Sequence, residues 1–324
     1  MRICLYSIIL FFIPLFSRGQ ELFPHNEPAS NVPKGVLGTR IFGESFREIS
    51  TQRNMLAMRL MYGVTPKLSV YITATGSNHH GKNLPKDLIT HTHIGSQTIY
   101  YTQPIQKGVS YSYRFNGLHI YGKYRFLTMD GQNKHFRMAL YGEWSNVKNA
   151  HDEAEPNLLD DTKGYGGGLI TTYLKKRFAV SLTSGVIIPG NYEETVPLTN
   201  GSSLMTHTEV QYGRAIIYNL SFGYLLYPKE YKDYNQTNWN VYLEFNGKSY
   251  EGARVFQDGQ ELETQSNSLK AGHYVEVHPG VQKIINSNLR IDFSVGFNLI
   301  NKSYARFYPL YMIGVQRYFF FKKK

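Results

Sequence analysis

Residues 289–299, LRIDFSVGFNL, alternate without a break. Leu289, Ile291, Phe293, Val295, Phe297 and Leu299 form one face, and Arg290, Asp292, Ser294, Gly296 and Asn298 form the other. Successive strand residues point to opposite sides, so this segment predicts a strand with one apolar and one polar face. It is longer than the usual globular strand of about five or six residues. It matches the length of about 9–11 residues that a tilted strand needs to cross hydrocarbon.

The pattern recurs along the chain. Apolar alternation runs through Leu56, Met58, Leu60 and Tyr62, through Leu68, Val70, Ile72 and Ala74, and through Leu118, Ile120, Tyr124 and Phe126. It returns at Phe136, Met138, Leu140 and Trp144, at Phe178, Val180, Leu182 and Val186, and at Trp239, Val241, Leu243 and Phe245. Weaker candidates lie near 35–47, 164–174, 208–226, 271–283 and 305–320. The glycines of GYGGG (164–168) weaken a strand but suit close packing in a barrel wall, and Pro279 belongs at a bulge or a strand end. Short turns at 63–67, 128–134, 174–177, 227–238 and 284–288 alternate with long polar links at 77–112, 148–163, 189–207 and 249–270. Short turns at one end and long loops at the other predict an all-β fold, a single antiparallel transmembrane barrel of about twelve strands. An even count returns both termini to the periplasmic, short-turn side.

Composition supports this reading. The chain holds 26 Tyr and 19 Phe against 2 Trp, and amphipathic aromatics gather at membrane–water boundaries. A secreted β-sandwich or a soluble lipocalin-like barrel would turn the apolar face inward and show the same alternation. Strand length, loop asymmetry and the aromatic ending YMIGVQRYFFF favour the membrane barrel. No run of 18 or more apolar residues follows residue 20, which excludes helical spans there.

The first residues read as a secretory leader: Arg2, an apolar run over 5–16, and small residues Ser17 and Gly19 ahead of Gln20. The apolar run is too short for a spanning helix. The expected organisation is therefore a signal peptide over 1–19, a periplasmic segment over 20–34, the barrel over 35–321 and a basic tail over 322–324. The lone Cys4 precedes the apolar run, so the exported chain would lack the thiols that cysteine catalysis or a cysteine zinc site requires. The formal charge of +11 is better matched to anionic lipid headgroups and lipopolysaccharide phosphates than to nucleic acid, given export. No cofactor is expected.

The signal ending at Gly19-Gln20, the NEPASNVPKG segment (26–35), LMYGVTPKLSVYITATGSNHHGK (60–82), HDEAEPNLLDDTKGYGGGL (151–169) and FAVSLTSGVIIPG (178–190) together resemble an outer-membrane transporter family of Bacteroidota-type bacteria, the phenol-degradation pathway transporter-like barrels. The resemblance spans most of the chain. It implies an outer-membrane barrel of porin-like character and leaves the substrate open. Outer-membrane proteins whose last strand ends in an aromatic are read there by the barrel-assembly machinery, and Phe319, Phe320 and Phe321 are the candidates here.

With the apolar face on lipid, the lumen would receive Arg40, Arg59, Lys123, Arg125, Arg137 and Arg290, with Glu44, Glu143, Glu244, Glu276 and Asp292, and His119 and His278. Both signs are present, so these groups suit either a polar pore or a lumen closed by ion pairs. His79, His80, His91 and His93 fall in one long loop, and imidazole is a ligand for zinc, copper or nickel; a solvated polar loop explains them as well. The acidic run 151–155 with Asp160 and Asp161 reads as a charged, solvated loop, with calcium as an alternative. A rim lipid hydrolase would need a Ser–His contact. His93 and Ser96 stand three apart, which places them on opposite faces of a strand, and no G-x-S-x-G elbow exists. Three function classes follow: a channel or transporter for small polar, ionic or other small solutes, a lipid hydrolase at the rim, and a binding barrel with a plugged lumen. The channel is the expectation, and the chain is not expected to be an enzyme.

Overall fold

The computed structural model describes residues 23–85, 88–147, 149–197, 203–229 and 236–321. The expected leader (1–19) and basic tail (322–324) lie outside them. Twelve long strands, numbered in chain order, form the wall: Leu37–Glu48 (β1), Thr51–Thr65 (β2), Leu68–Ser77 (β3), Arg114–Gly131 (β6), Lys134–Ser145 (β7), Gly164–Lys175 (β8), Phe178–Pro189 (β9), Ala215–Tyr227 (β12), Asn238–Tyr250 (β13), Gly272–Ile285 (β16), Leu289–Asn301 (β17) and Leu310–Phe319 (β18). Each pairs antiparallel with its neighbours, and β1 closes the ring on β18, from Leu37 opposite Phe319 to Ser45 opposite Tyr311. Closure leaves no edge to hydrogen-bond with lipid, the condition for spanning a membrane with strands. The β16–β17 ladder lapses at Pro279, which has no amide proton to give.

The expected apolar face is the outer face. Leu60, Ile72, Leu140, Leu182, Phe293 and Ile313 are all exposed, while the alternate residues Arg40, Thr73, Tyr121, Ser181, Gln282 and Asp292 are buried. A soluble barrel would show the reverse. Exposed aromatics stand near both ends of the wall: Tyr62, Tyr124, Tyr224 and Trp239 beside the short turns, and Trp144, Tyr165 and Tyr311 beside the long loops. An apolar band between aromatic girdles is the layout of outer-membrane barrels. Phe319 and Phe321 face outward, whereas Phe320 packs against Tyr318.

The long links are not simple loops. They carry a second sheet, from Ile89–Ile94 (β4), Gln97–Thr102 (β5), Tyr192–Pro197 (β10), Met205–Gln211 (β11), Arg254–Gln257 (β14) and Gln260–Thr264 (β15), in the order β10-β11-β14-β15-β5-β4. Leu84, Leu88, Ala154, Leu158, Val210, Val255, Leu262 and Leu269 share one buried cluster beneath it. The loops therefore form a folded crown whose core is continuous with the mouth of the wall through Ile187, Ala215, Tyr250 and Tyr274. The expectation of solvated links fails here because short strands from three different loops pair with each other, and none is stable alone.

Glycines in the wall make room for tyrosines. A side chain at Gly185 of β9 would collide with the Tyr141 ring of β7, and one at Gly247 of β13 would collide with Tyr218 of β12. This accounts for part of the glycine-rich pattern in the wall: large rings lie flat against strands that lack a Cβ.

Candidate functional site in the barrel lumen

The lumen has a floor. Residues 23–34, expected as a periplasmic segment, run inside the barrel instead. Asn26 touches Ser221 and Glu244, the Ala29 amide donates to Thr172, Arg137 reaches Ser30, and the Val32 amide donates to Ser69. Those partners lie on β12, β13, β8, β7 and β3, and only an interior segment can touch strands all around a closed ring. Phe23 packs on Tyr242 and Ala179 near the short-turn end, residues 25–27 rise to mid-barrel, and the chain descends to Gly35, which hydrogen-bonds Gly63. The segment reads as a linker because its polar and small residues gave no sign of partners so distant in sequence.

Most of the expected lumen residues point inward, and many of them hold this floor. The Glu244 carboxylate is fully buried and accepts from the amides of His25 (3.0 Å) and Asn26 (3.1 Å), from Asn26 Nδ2 (3.2 Å) and from Ser221 Oγ (3.1 Å). Arg40 donates to the Pro24 carbonyl (2.6 Å) and faces Asp292 at 3.5 Å. Arg59 pairs with Glu27 at 2.9 Å, and Lys123, fully buried, donates to the Pro28 carbonyl at 2.7 Å. Arg137 is shared between Ser30 and Asp130. His119 contacts Glu143 at 2.8 Å, Arg290 donates to Gln316, and His278 bonds Glu276 while packing 4.2 Å from the His25 ring. Arg125 stands apart: it donates to the Pro66 carbonyl at the short-turn rim and holds that turn rather than the floor.

A buried ion pair is held by geometry and additional hydrogen bonds, and losing one member is costly. The floor is therefore fixed by several paired charges together with the apolar contacts of Phe23, Ala29 and Val32. Inward tyrosines add a column: Tyr71, Tyr121 and Tyr141 of β3, β6 and β7 stack at 5.4 and 5.3 Å. The Arg59 guanidinium and the Lys123 ammonium lie 5.8 and 5.6 Å from the Tyr71 ring, within reach of cation–π attraction.

The lumen also has a roof. Residues 149–163 of the link 148–163, expected to be solvated, fold into the long-loop mouth, where Asp152, Glu155 and Asp160 are buried. Glu155 receives Lys248 at 2.7 Å, Tyr274 at 2.9 Å and Arg306 at 2.9 Å. Burial alone would raise the Glu155 carboxyl, but Arg306 and Lys248 outweigh it and hold it down at about 2. The Thr75 hydroxyl ties the Leu159 carbonyl to β3. Lys248 and Tyr274 lie on β13 and β16 and Arg306 on the link between β17 and β18, and these charge-assisted hydrogen bonds offset the burial of the carboxylate and hold the acidic run inward.

Between floor and roof lies a chamber of about 190 Å³. One side carries Glu27, Arg59, His119 and Glu143, and the other carries Leu158, Ile170, Ile187 and Ile217. A smaller cavity of about 70 Å³ lies among the loops, between Glu44, Phe46, Arg53, His79, Glu155 and Arg306. Glu44 thus reaches the mouth rather than the chamber.

The four histidines separate into two pairs. His79 and His80 enter the roof, where His79 contacts Asp160 and His80 lies between Asp152 (3.3 Å) and Asp161 (3.0 Å). Burial would lower both imidazoles, yet the facing aspartates raise His79, and raise His80 strongly. His91 and His93 stay on the β4–β5 hairpin with rings 5.1 Å apart, far less enclosed. His93 contacts Thr98 at 3.3 Å, and no contact orients it towards Ser96. Sequence reasoning missed His25, Asn26 and Glu27 of the floor and Arg306 of the roof, and took His151 only as part of the acidic run 151–155. Only their polarity marked them, and polarity also marks solvated loops.

No protein-family model and no curated protein sequence matches the chain. Among solved structures it is similar to the COG4313 outer membrane channel from Pseudomonas putida F1, at 12% identity and a TM-score of 0.55, over 92% of this chain and 100% of that one. The β domain of the Bordetella autotransporter BrkA aligns at 12% identity and TM-score 0.38 over 87% of this chain and 98% of that one. Salmonella typhi OmpF, solved with daunomycin, aligns at 9% identity and TM-score 0.31 over 88% and 97%. The likeness to the Pseudomonas channel is one of fold: a single closed barrel of the outer-membrane type.

Proposed function

We propose that the protein is an outer-membrane channel for small solutes, closed at rest by its own N-terminal segment. The observation that carries the reading is the chamber, bounded by residues 25–27 of the floor and 157–159 of the roof inside a lipid-facing ring. Its ionised side and its aliphatic side suit a small amphipathic or polar solute, and its size excludes large ones. Charged side chains around a narrow path set ion preference. Of the inward groups identified from sequence, Arg59, His119 and Glu143 border the chamber, Glu44 stands at the mouth, Arg125 at the short-turn rim, and those that hold the floor would line the route once the floor moves. The Bacteroidota-type transporter family remains the kinship we propose, supported by the segments 26–35, 60–82 and 151–169. Lipopolysaccharide and lipid would contact the outer belt, and the assembly machinery would read the outward Phe319 and Phe321.

Planar-bilayer recording on refolded mature protein tests this. The intact chain should show a small conductance, and a chain lacking residues 23–31 should show a much larger one. Equal conductance from a correctly folded deletion variant would refute the closed channel and favour a binding barrel whose lumen admits nothing.

A further inference from the structure

We propose that the roof carries a binding site for a first-row divalent transition ion, with His80, His151 and Asp161 as ligands and Asp152 as the group that orients His80. One nitrogen of each imidazole and one Asp161 carboxylate oxygen lie within 4.8 Å of one another. Two imidazoles and a carboxylate suit zinc and its neighbours.

The hydrogen bond at His151 fixes which of its nitrogens carries the lone pair. His151 Nε2 lies 2.6 Å from the Glu155 carbonyl oxygen, which can only accept, so Nε2 holds the proton. Nδ1 is then left with its lone pair, and among the described residues it has no hydrogen-bond partner although His151 is only 1% exposed. A buried polar atom left unpartnered calls for an explanation, and a missing ion is one. His80 lies between two carboxylates, and an ion taken at Nε2 would displace the proton there while Asp152 keeps the one on Nδ1. The His80 Nδ1 is 3.3 Å from Asp152 Oδ1, and its Nε2 is 3.0 Å from Asp161 Oδ1. That Asp161 oxygen is buried and does not complete a hydrogen bond to the ring. A carboxylate on one imidazole nitrogen with the metal on the other is the usual outer arrangement at histidine metal sites. The two rings meet edge to face at 4.8 Å between centroids. The pair His79–Asp160 flanks the site and shares Asp161 with it.

The ligands come from two loops, one after β3 and one between β7 and β8. An ion here would clasp the roof to the wall-side loop of the crown. The His91–His93 pair lacks a neighbouring carboxylate in any such group among the described residues.

The test uses the mature chain, refolded in detergent, stripped with a chelator and titrated with Zn²⁺ by calorimetry. One ion per chain should bind. His151→Ala and Asp161→Asn should each weaken binding by about 100-fold or more, and Asp152→Asn by roughly 10–100-fold. The double variant His91→Ala/His93→Ala should bind like the parent. Co²⁺ added to the parent chain should give visible ligand-field bands, a reading that needs no variant to fold. Heat-modifiable gel mobility verifies the barrel in each variant. A parent chain that takes up no stoichiometric zinc and shows no cobalt bands overturns the site. So does binding that survives His151→Ala in a folded barrel, or binding that disappears only with His91 and His93.

Discussion

Replacing Glu244 by alanine should open the floor. Three of the four donors on its carboxylate belong to the N-terminal segment: the amides of His25 and Asn26 and the Asn26 side chain, at 3.0–3.2 Å. A hydrogen bond to a charged group contributes about 1.5–3 kcal/mol, and bonds that share one acceptor do not add in full. A loss of about 3 kcal/mol from the seated floor is therefore a reasonable magnitude, and at about 1.4 kcal/mol per tenfold it shifts the open-to-closed ratio by roughly 100-fold. Glu244→Gln keeps an acceptor oxygen for one amide and should shift the ratio by about tenfold. Single-channel recording reads this directly as the fraction of time spent at high conductance. The order should be parent, then Gln, then Ala. An Ala variant that folds and shows the parent's dwell times would mean that the anchoring network does not govern the floor, and the gating argument would fall.

Other outcomes follow from the same structure. Phe293→Arg, on the exposed belt, should destabilise the barrel by about 2–4 kcal/mol if it sits at the bilayer midplane, measured by denaturant titration in lipid; no change would place Phe293 off the hydrocarbon. Arg306→Ala removes one of the cations on Glu155, which keeps Lys248, and should cost about 1.5–3 kcal/mol, seen as earlier melting and faster protease nicking of the crown. Cysteines placed at Ser96 and Glu261, both exposed on the crown, should label on intact cells, and one at Gln132 in a short turn should not. Labelling of Gln132→Cys alone would invert the orientation.

The wall was legible because its information is local. Period-2 alternation through Phe293 or Leu182 needs no knowledge of the partner strand, since lipid rewards the same face everywhere. The crown was not legible: β11 pairs with β14 some forty residues on, and neither strand is long enough to declare itself. The floor failed for a different reason. Asn26 and Glu27 look like any solvated polar pair until Glu244, Arg59 and Lys123 are known to converge on them. The histidines divide along the same line. HTH at 91–93 was conspicuous because the residues are adjacent, while the partners of His80, namely His151 and Asp161, come from a distant loop.

The glycines that accept tyrosine rings also fix the bore from outside the path. Tyr141 lies flat because Gly185 offers no Cβ, and its ring borders the chamber. A single methyl at that wall position would swing the ring inward with no change in charge or in any lining residue. Selectivity by size in such a barrel is therefore adjustable from positions that never meet the solute, so that a survey confined to lumen side chains would mistake two barrels of different calibre for the same pore.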